Sequence, residues 1–286
     1  RMTRYPTTKE DRMALNKVQI AGDDVAAELV PERGGIVSRL TIGGDEVFYL
    51  DPATLDTPKV RGGNPILFPN PGPLAGGAYQ HPSGKEYKLG QHGFARELPW
   101  QLVATDGKSA EIRLISDNYT RERFPYDFDV RIIYRCSGST FTVEQHFHNL
   151  SSEPMPLHFG FHPYFAVADS EKPNVKITTD ATRAWDNVTK KEGPFTGPLD
   201  LTVQEVDLHF IDHGPRETIM TRPGHKDLRI TWDDPYKWLV VWTQKGKDFV
   251  CVEPWTARAN ALNSKEGLVH IGPRERRKSF VAITAL

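Results

Sequence analysis

The sequence predicts an all-β protein, a large antiparallel β-sandwich that forms a single domain over residues 1–286. Short apolar runs with period-two alternation recur along the chain, and no amphipathic helical stretch exceeds about a dozen residues. The 23 glycines and 22 prolines are spread along the chain, and no linker concentrates them, so no domain boundary is predicted. Residues 1–15 are expected to form a peripheral N-terminal segment.

The first strands are predicted where β-rich runs lie between turn residues. These runs cover residues 17–21, 25–30, 36–42, 46–50, 110–116 and 175–179. The clearest pattern spans residues 127–148, in which apolar residues alternate with mostly polar ones on both sides of Gly138. Period-two alternation around a glycine turn predicts a hairpin with one buried face.

The later part of the chain continues the series with strands over residues 228–232, 238–243 and 249–252. Residues 238–242 are continuously apolar, which predicts a strand that is covered on both faces. Short helical turns are expected near residues 51–56 and 258–264. Many strands with few helices favour a sandwich or a barrel, and the lack of a fixed repeat disfavours a propeller.

Composition narrows the classes of function. Lys and Arg total 36 and Asp and Glu total 37, so the formal charge of −1 offers no general attraction to nucleic acid or to an anionic membrane. No apolar run is long enough for a membrane helix, and residues 1–12 lack the apolar centre of a signal peptide. We therefore expect a cytoplasmic protein with no membrane or nucleic-acid partner, in which Cys136 and Cys251 are buried thiols.

Two loops are candidates for chemistry. Residues 61–73 are rich in Gly and Pro yet carry large apolar side chains, so they form either a packed connection or a shaped binding loop. In residues 91–96, His92 and Arg96 flank small residues and an aromatic one. A histidine exchanges protons near neutral pH, and an arginine offers a planar fork of donors to hydroxyl, carboxylate or phosphate groups. The alternative is a hydrogen-bonded loop histidine beside a surface arginine.

Residues 156–165 contain two histidines four positions apart. In an extended segment His158 and His162 would lie roughly 13 Å apart, which is too far for two ligands of one metal ion, so no metal site is predicted. His162 precedes Pro163 where the strand must end, and functional groups often lie at such ends. We predict no catalytic role for His158 and expect it to lie among the residues that support the site.

Residues 249–256 carry an acid at the end of a buried apolar strand. Burial disfavours a carboxylate, so Glu253 could have a raised pKa and act as a general base or acid. The alternative is that Glu253 only caps the core. Trp255 is either a core residue or a platform for the apolar face of a sugar ring.

Taken in order, these segments resemble the aldose 1-epimerase (galactose mutarotase) superfamily over about residues 25–280. The matching pieces are Arg61-Gly62-Gly63 with Pro65 and Phe68-Pro69, His92-Gly93-Phe94, His162-Pro163-Tyr164-Phe165, and Glu253-Pro254. No single motif is specific for this superfamily, but the four motifs in this order are. The resemblance implies a galactose mutarotase-like supersandwich with its site in a groove on one sheet.

The resemblance also implies the catalytic roles. His162 matches the general acid and Glu253 the general base of an isomerase that needs no cofactor or metal. Such an enzyme opens a cyclic hemiacetal and closes it on the other face of the aldehyde, which requires an acid and a base.

Substrate-binding residues follow from the same resemblance. Arg61 and His92 match groups that bind sugar hydroxyls or the ring oxygen. An aspartate is expected between the His162 and Glu253 segments; Asp207 is our choice, with Asp212 as the alternative. Arg96 and Trp255 complete the predicted site.

The resemblance leaves more than one function open. The first is an aldose 1-epimerase of carbohydrate metabolism that acts on a free hexose. The second is a glucose-6-phosphate 1-epimerase, since Arg61 and Arg96 resemble the paired arginines of the sugar-phosphate branch. Residues 68–74 depart from that branch. In both cases the partner is a small sugar or sugar phosphate.

Two other classes are weighed against the isomerase. A non-catalytic carbohydrate-binding protein could use Trp185 and Trp255, but retained His162 and Glu253 argue against it. A glycoside hydrolase commonly needs two carboxylates, for which Asp207 and Glu253 are available. The accompanying histidine fits mutarotation better.

Overall fold

Antiparallel ladders join all the named strands of the computed structural model, which describes residues 15–55, 57 and 59–286. The strands build one four-stranded sheet, two eight-stranded sheets and two short ribbons. This confirms the predicted all-β sandwich. Most of the predicted peripheral segment, residues 1–14, lies outside the described residues, as do residues 56 and 58.

The elements are numbered in chain order. The first twelve strands are β1 Val18–Gly22, β2 Val25–Val30, β3 Ile36–Ile42, β4 Asp45–Glu46, β5 Ile66–Leu67, β6 Ala78–Gln80, β7 Glu86–Lys88, β8 Gln101–Thr105, β9 Ser109–Ile115, β10 Phe128–Ser137, β11 Thr140–Asn149 and β12 Met155–Leu157. The others are β13 Gly160–Phe161, β14 Tyr164–Ala166, β15 Lys176–Ile177, β16 Arg183–Asp186, β17 Lys191–Pro194, β18 Glu205–Phe210, β19 Glu217–Thr221, β20 Leu228–Trp232, β21 Trp238–Gln244, β22 Phe249–Trp255, β23 Val269–Ile271 and β24 Arg276–Ala285.

Helical structure is confined to short turns. The α-helices are α1 Asn118–Arg121 and α2 Ala261–Ser264, and 3-10 turns cover Pro52–Thr54, Ala75–Gly77, Ala95–Glu97 and Asp169–Asn174. Both predicted helical regions therefore hold helical turns, each shorter than its predicted range. Within the described part of the chain, no helix has the length and apolar character to cross a membrane.

The back sheet, as we call it, has the order β15-β19-β20-β24-β11-β10-β9-β8. It contains the predicted hairpin: β10 and β11 pair from Phe128↔Asn149 to Ser137↔Thr140, and Gly138 makes the turn with a φ of 54°. The alternate apolar residues of both strands are buried, as the period-two pattern predicts. The hairpin therefore forms one wall of the main core.

The front sheet has the order β17-β16-β18-β21-β22-β13-β5, and β14 also pairs with β22. Side chains such as Val206, Val241 and Val252 point from one face of this sheet into the main core. Because side chains alternate along a strand, their neighbours in sequence point from the opposite face. That opposite face carries the cleft described below.

Two predictions about these strands need correction. Glu253 does not end its strand, because β22 runs on to Trp255 and Glu253 pairs with Val240 in the ladder. A strand covered on both faces is predicted over residues 238–242, but only residues 239–241 are fully buried. Trp238 and Trp242 are half-buried, because they lie on the face that carries the cleft.

Two other predicted strands are shorter than expected. The run over residues 46–50 pairs regularly only as far as Glu46, after which Phe48 and Leu50 make isolated bridges to other segments. The run over residues 175–179 is a strand only at Lys176–Ile177, on the edge of the back sheet. In both places the chain leaves its pairing partner before that partner ends, since β3 continues to Ile36 and β19 continues to Glu217.

Candidate active site

A cleft of about 250 Å³ opens on the exposed side of the front sheet. Its walls contain all seven side chains that the sequence predicts for the site: Arg61, His92, Arg96, His162, Asp207, Glu253 and Trp255. Further lining residues include Lys59, Gln91, Tyr164, Asn187, Glu205, His209, Val240 and Trp242. Residues nearly 200 positions apart in the chain therefore meet in one place.

Strand register builds the floor of the cleft. His209 on β18 pairs with Val240 on β21, which in turn pairs with Glu253 on β22. The neighbouring row joins Asp207, Trp242 and Cys251 in the same way. Alternation along each strand places both rows on the same face of the sheet.

Glu253 is a buried carboxyl with few partners. The residue is only 1% exposed. Its Oε2 accepts a hydrogen bond of 3.1 Å from the indole Nε1 of Trp255. Burial raises the pKa of Glu253 well above its ordinary value, the charge of Asp207 raises it further, and the Trp255 hydrogen bond opposes both. The other oxygen, Oε1, lies 3.5 Å from Nδ1 of His162.

The imidazole of His162 is held between aromatic rings. It stacks on Tyr164 with 4.7 Å between ring centroids and meets the edges of Trp242 and His92 at 5.5 Å each. Nδ1 is buried and has no hydrogen-bond partner among the described residues. Burial lowers the pKa of His162 to about 3, and the nearby charge of Arg96 contributes to the shift.

These opposite shifts define the resting state of the pair. They favour a neutral imidazole of His162 beside a protonated carboxyl of Glu253. Transfer of that proton across the 3.5 Å gap gives a carboxylate and an imidazolium without changing the number of bound protons. The pair can thus supply one acid and one base.

Asp207 faces the cleft, whereas Asp212 does not line it. Asp207 accepts hydrogen bonds from Asn187 Nδ2 at 2.7 Å and contacts His209 Nε2 at 3.0 Å, which orients the carboxylate. Asp212 instead accepts from the backbone of Thr182 at 3.0 Å and from the hydroxyl of that residue at 2.6 Å. The geometry therefore favours Asp207 of the two aspartates that the sequence left open.

Glycines allow the two loops to bring His92 and Arg61 to the cleft. Gly63 has a φ of 65°, and a Cβ there would lie 2.4 Å from the carbonyl oxygen of Val37. A Cβ at Gly93, where φ is 71°, would lie 2.1 Å from the carbonyl oxygen of Phe68. Both positions therefore require glycine, which explains two of the motifs in the sequence.

His92 has a defined tautomer. The amide of Gly72 donates to its Nδ1 at 3.0 Å, so the proton of the neutral ring lies on Nε2 and can be donated. Burial lowers the pKa of His92 well below its ordinary value, with smaller contributions from Arg96 and His162. The ring is therefore neutral and acts as a hydrogen-bond donor.

Basic side chains line one edge of the cleft. Arg61, Arg96 and Lys59 contribute to this edge, and Arg96 is anchored by a 3.0 Å bond from Nη2 to the carbonyl of Gln91. Burial lowers the pKa of the Arg96 guanidinium, and the charge of Arg61 lowers it further. Two guanidinium groups that interact in this way form an anion-attracting edge.

Trp255 lines the cleft but is almost fully enclosed. Its indole is 4% exposed and meets the rings of His92, His158 and His209 at centroid distances of 6.1, 5.7 and 5.2 Å. His158 thus lies against Trp255, outside the cleft lining, in the supporting position that the sequence left to it. Trp185 is also absent from the lining of the cleft.

Sequence reasoning missed His209 as a site residue. This imidazole is 2% exposed, faces the cleft and contacts Asp207 at 3.0 Å. The available signal was its position two residues after Asp207, since residues at that spacing share a face in an extended segment, although no strand is predicted there from the sequence. Asn187 carried no comparable signal, because it reaches Asp207 from a turn after β16.

Comparisons with known proteins agree with the resemblance seen in the sequence. The family model described as "Aldose 1-epimerase" matches residues 19–278. A protein from Salmonella typhimurium named "Putative glucose-6-phosphate 1-epimerase" is 29% identical over 205 residues, which cover 69% of this chain and 64% of that protein.

Solved structures share the fold over nearly the whole chain. The structure of the Slr1438 protein from Synechocystis sp. PCC 6803 matches with a TM-score of 0.91 and 33% identity, over 95% of this chain and 96% of that one. A galactose mutarotase related enzyme from Lactobacillus acidophilus matches with a TM-score of 0.80 and 19% identity, over 95% of this chain and 97% of that one. The second likeness bears on the fold alone.

Proposed function

Because this chain belongs to the aldose 1-epimerase family, we propose that it is a mutarotase that interconverts the α and β anomers of a hexose. The observation that carries the proposal is the buried pair of His162 and Glu253, 3.5 Å apart at the floor of a polar cleft. Opening a cyclic hemiacetal needs a base at the anomeric hydroxyl and an acid at the ring oxygen. This pair supplies both.

The proposed reaction begins with the proton on the imidazole. Glu253 accepts the proton of the anomeric hydroxyl while the bond between the anomeric carbon and the ring oxygen breaks, and His162 donates its proton to that oxygen. Rotation about the adjacent carbon–carbon bond presents the other face of the aldehyde. Closure then reverses both proton transfers, so the enzyme ends with the protonation state in which it began.

Hydroxyl-binding groups around the pair hold the open chain for closure. Asp207 accepts hydrogen bonds, His92 donates one through Nε2, and Arg61 offers a fork of donors. A tether of this kind keeps the aldehyde near attack geometry, which replaces a search by the free chain with an intramolecular step. The proposed roles of these residues in substrate binding follow from that requirement.

A hexose 6-phosphate is the second candidate substrate, and the basic edge of the cleft favours it. Lys59, Arg61 and Arg96 provide one ammonium and two guanidinium groups, which form charge-assisted hydrogen bonds with phosphate oxygens. The printed name of the Salmonella relative points to the same substrate. We place a 6-phosphate, if present, at this edge and the anomeric carbon at the His162–Glu253 pair.

Exchange NMR on three sugars tests the proposal. Pure α-glucose, α-galactose and glucose 6-phosphate are incubated with the protein, and anomer exchange is compared with the spontaneous rate in the same buffer. We expect acceleration of at least one sugar, and preference for glucose 6-phosphate would select the second candidate. Sugar binding, seen as chemical-shift changes without acceleration, would make this a carbohydrate-binding protein.

A further inference from the structure

Three side chains of ligand type meet at and just beneath the floor of the cleft, and the proposed reaction uses only two of them, because Cys251 is buried below the lining. Donor atoms of His162, Cys251 and Glu253 all lie within 4.8 Å of one another. Imidazole nitrogen, cysteine sulfur and carboxylate oxygen are the ligands that zinc takes in proteins. We call these three residues the floor cluster.

The strand arrangement holds the floor cluster in place. Cys251 and Glu253 lie two residues apart on β22, so their side chains leave the same face of the front sheet. Cys251 pairs in register with Tyr164 on one side and with Trp242 on the other. Tyr164 and Trp242 are two of the rings that contact the imidazole of His162, so one packed frame carries all three ligands.

The spacing of the cluster suits a small tetrahedral ion. Two ligand atoms of a tetrahedral zinc ion lie about 3.3–3.6 Å apart, given the usual metal–ligand distances. Nδ1 of His162 and Oε1 of Glu253 are already 3.5 Å apart. The sulfur lies within 4.8 Å of its partners, so an approach of about an ångström at most brings it to this spacing.

An unsatisfied polar atom also points to a ligand here. Nδ1 of His162 is buried and has no hydrogen-bond partner among the described residues. The residue as a whole is only 9% exposed, so bulk water does not readily supply one. Buried polar atoms normally have a hydrogen-bond partner, and an exception points to a bound water, an ion or a catalytic role. A metal ion between His162 and Glu253 would occupy this atom and the facing carboxylate together.

We propose that the floor cluster binds a zinc-like divalent ion through His162 Nδ1, Cys251 Sγ and a Glu253 oxygen, and that the bound ion inhibits the enzyme. The fourth position of the ion would open to the cleft and hold water. Binding releases the thiol proton of Cys251 and any proton on Glu253 to solvent, with no change of oxidation state. The binding itself is independent of the proposed function, whereas the inhibition rests on it.

Calorimetry with Zn²⁺ tests the binding. Zn²⁺ is titrated into the full-length metal-free protein and into two variants, Cys251→Ser and the matched control Cys136→Ser. Cys136 is also a buried free thiol, but it lies on β10 in the back sheet. We expect one ion per chain in the wild type and in Cys136→Ser, and binding weaker by about tenfold or more in Cys251→Ser.

Co²⁺ provides a readout that is specific for the sulfur ligand. A thiolate bound to Co²⁺ gives an intense charge-transfer absorption in the near ultraviolet, which histidine and carboxylate ligands alone do not give. This absorption should appear in the wild type and in Cys136→Ser and be missing in Cys251→Ser. Circular dichroism verifies that each variant folds, and Cys251→Ala replaces the serine variant if that one does not. Equal absorption or equal Zn²⁺ affinity in a folded Cys251 variant would overturn the proposed site.

Anomer exchange measured with and without Zn²⁺ tests the inhibition separately. We expect Zn²⁺ to abolish acceleration by the wild type, a chelator to restore it, and Cys251→Ser to need about tenfold more Zn²⁺ for the same effect. Thiolate-ligated binding with unchanged exchange would overturn the inhibition and the assignment of His162 and Glu253. Absence of acceleration by any protein would contradict the proposed function, while the binding result would stand.

Discussion

Two regions of the molecule bury a pair of ionisable side chains, and they differ in how many hydrogen-bond partners those side chains have. In the first, Arg222 is 2% exposed and donates through Nη2 to Asp45 at 2.8 Å. Its terminal nitrogens also reach the carbonyl oxygens of Glu46, Ala166 and Lys226 at 3.1, 3.4 and 3.2 Å. This guanidinium therefore ties the four-stranded sheet to the end of β14 and to the turn after β19.

In the second region, the floor of the cleft, the pair has few partners. Glu253 accepts one hydrogen bond, from Trp255, and faces Nδ1 of His162 at 3.5 Å, which is too long for a good hydrogen bond. The charge of Asp207 has the same sign as the carboxylate and raises its pKa. A buried ion with so little support is costly, so the pair is neutral at rest.

This difference distinguishes a pair that stabilises the fold from a pair that can take part in catalysis. A buried charge with several partners keeps one protonation state and holds segments together. A buried pair with few partners rests in its neutral form, and its strongly shifted pKa values make it a candidate for proton transfer. We therefore expect substitutions in the first region to lower stability and substitutions in the second to lower the rate.

The largest expected effect is on catalysis by Glu253→Gln. The amide keeps the shape of the side chain but cannot accept the anomeric proton, so kcat/KM for anomer exchange should fall by roughly 10²–10⁴-fold. Glu205→Gln is the matched control, since Glu205 is a carboxylate in the same cleft that accepts a hydrogen bond from Trp242. Equal losses in both variants, or none in Glu253→Gln, would assign the base to another group.

The next effect is on stability, at Arg222→Met. Removal of the guanidinium leaves buried carbonyl groups without their donor and Asp45 without its buried cation, although His225 and the amide of Lys226 still bind that carboxylate, so the free energy of unfolding should fall by about 3–5 kcal/mol. Chemical denaturation measures this change, and the folded variant should keep its rate of exchange. Arg39→Met is the control, because Arg39 forms an exposed ion pair with Glu46, and such pairs contribute about 0–1 kcal/mol. A similar loss in both variants would contradict the contrast between the two regions.

A smaller effect separates the two candidate substrates at Arg96→Ala. If the basic edge binds a phosphate, kcat/KM for glucose 6-phosphate should fall by about 10–100-fold, the effect of losing a charge-assisted hydrogen bond. Exchange of free glucose should change little. The readout is the ratio of the two rates in each protein, so a loss of expression or folding cancels. An equal loss on both sugars would show that Arg96 supports the scaffold, and the phosphate hypothesis would then be dropped.

The smallest expected effect is a shift along the pH axis of the pH profile of kcat/KM for anomer exchange, whatever the maximum value of kcat/KM. Asp207 raises the pKa of Glu253 and the indole N–H of Trp255 lowers it, while His162 contacts the carboxyl directly and Arg61 and Arg96 lie nearby. The pair loses its proton as the pH rises through the raised pKa, so activity should fall on the alkaline side.

Two variants should move that alkaline limb in opposite directions. Asp207→Asn removes a like charge and should move the limb to lower pH, whereas Trp255→Phe removes a stabilising donor and should move it to higher pH. The measurement is kcat/KM for anomer exchange across the pH range. A shift of the same sign in both variants would mean that Glu253 does not control the limb.

Much of the fold could be predicted because its signals are local. The alternation around Gly138 predicts the hairpin of β10 and β11, and the apolar runs predict β21 and the first part of β22 in the front sheet. The ends of strands were less predictable, as the early end of β4 and the extension of β22 through Glu253 show. The end of β22 lies opposite Trp238, the first residue of β21, so pairing between strands decides it and no pattern within one strand records it.

By itself, the sequence determined the all-β class, the family and the residue types from which a site could be built. The glycines of the His92 and Arg61 loops belong to this part, because backbone conformation and close contact restrict those positions to glycine. The period-two pattern also determined which residues of the β10–β11 hairpin share a face.

Only the tertiary structure decided how those residues meet. Register between β18, β21 and β22 aligns His209 with Glu253, and pairing of β13 with β22 brings His162 to 3.5 Å from that carboxyl. It also selects Asp207 over Asp212 and encloses Trp255 among three imidazoles. The physical reason is that register and burial depend on the summed packing of segments far apart in the chain, which no local pattern of residues records.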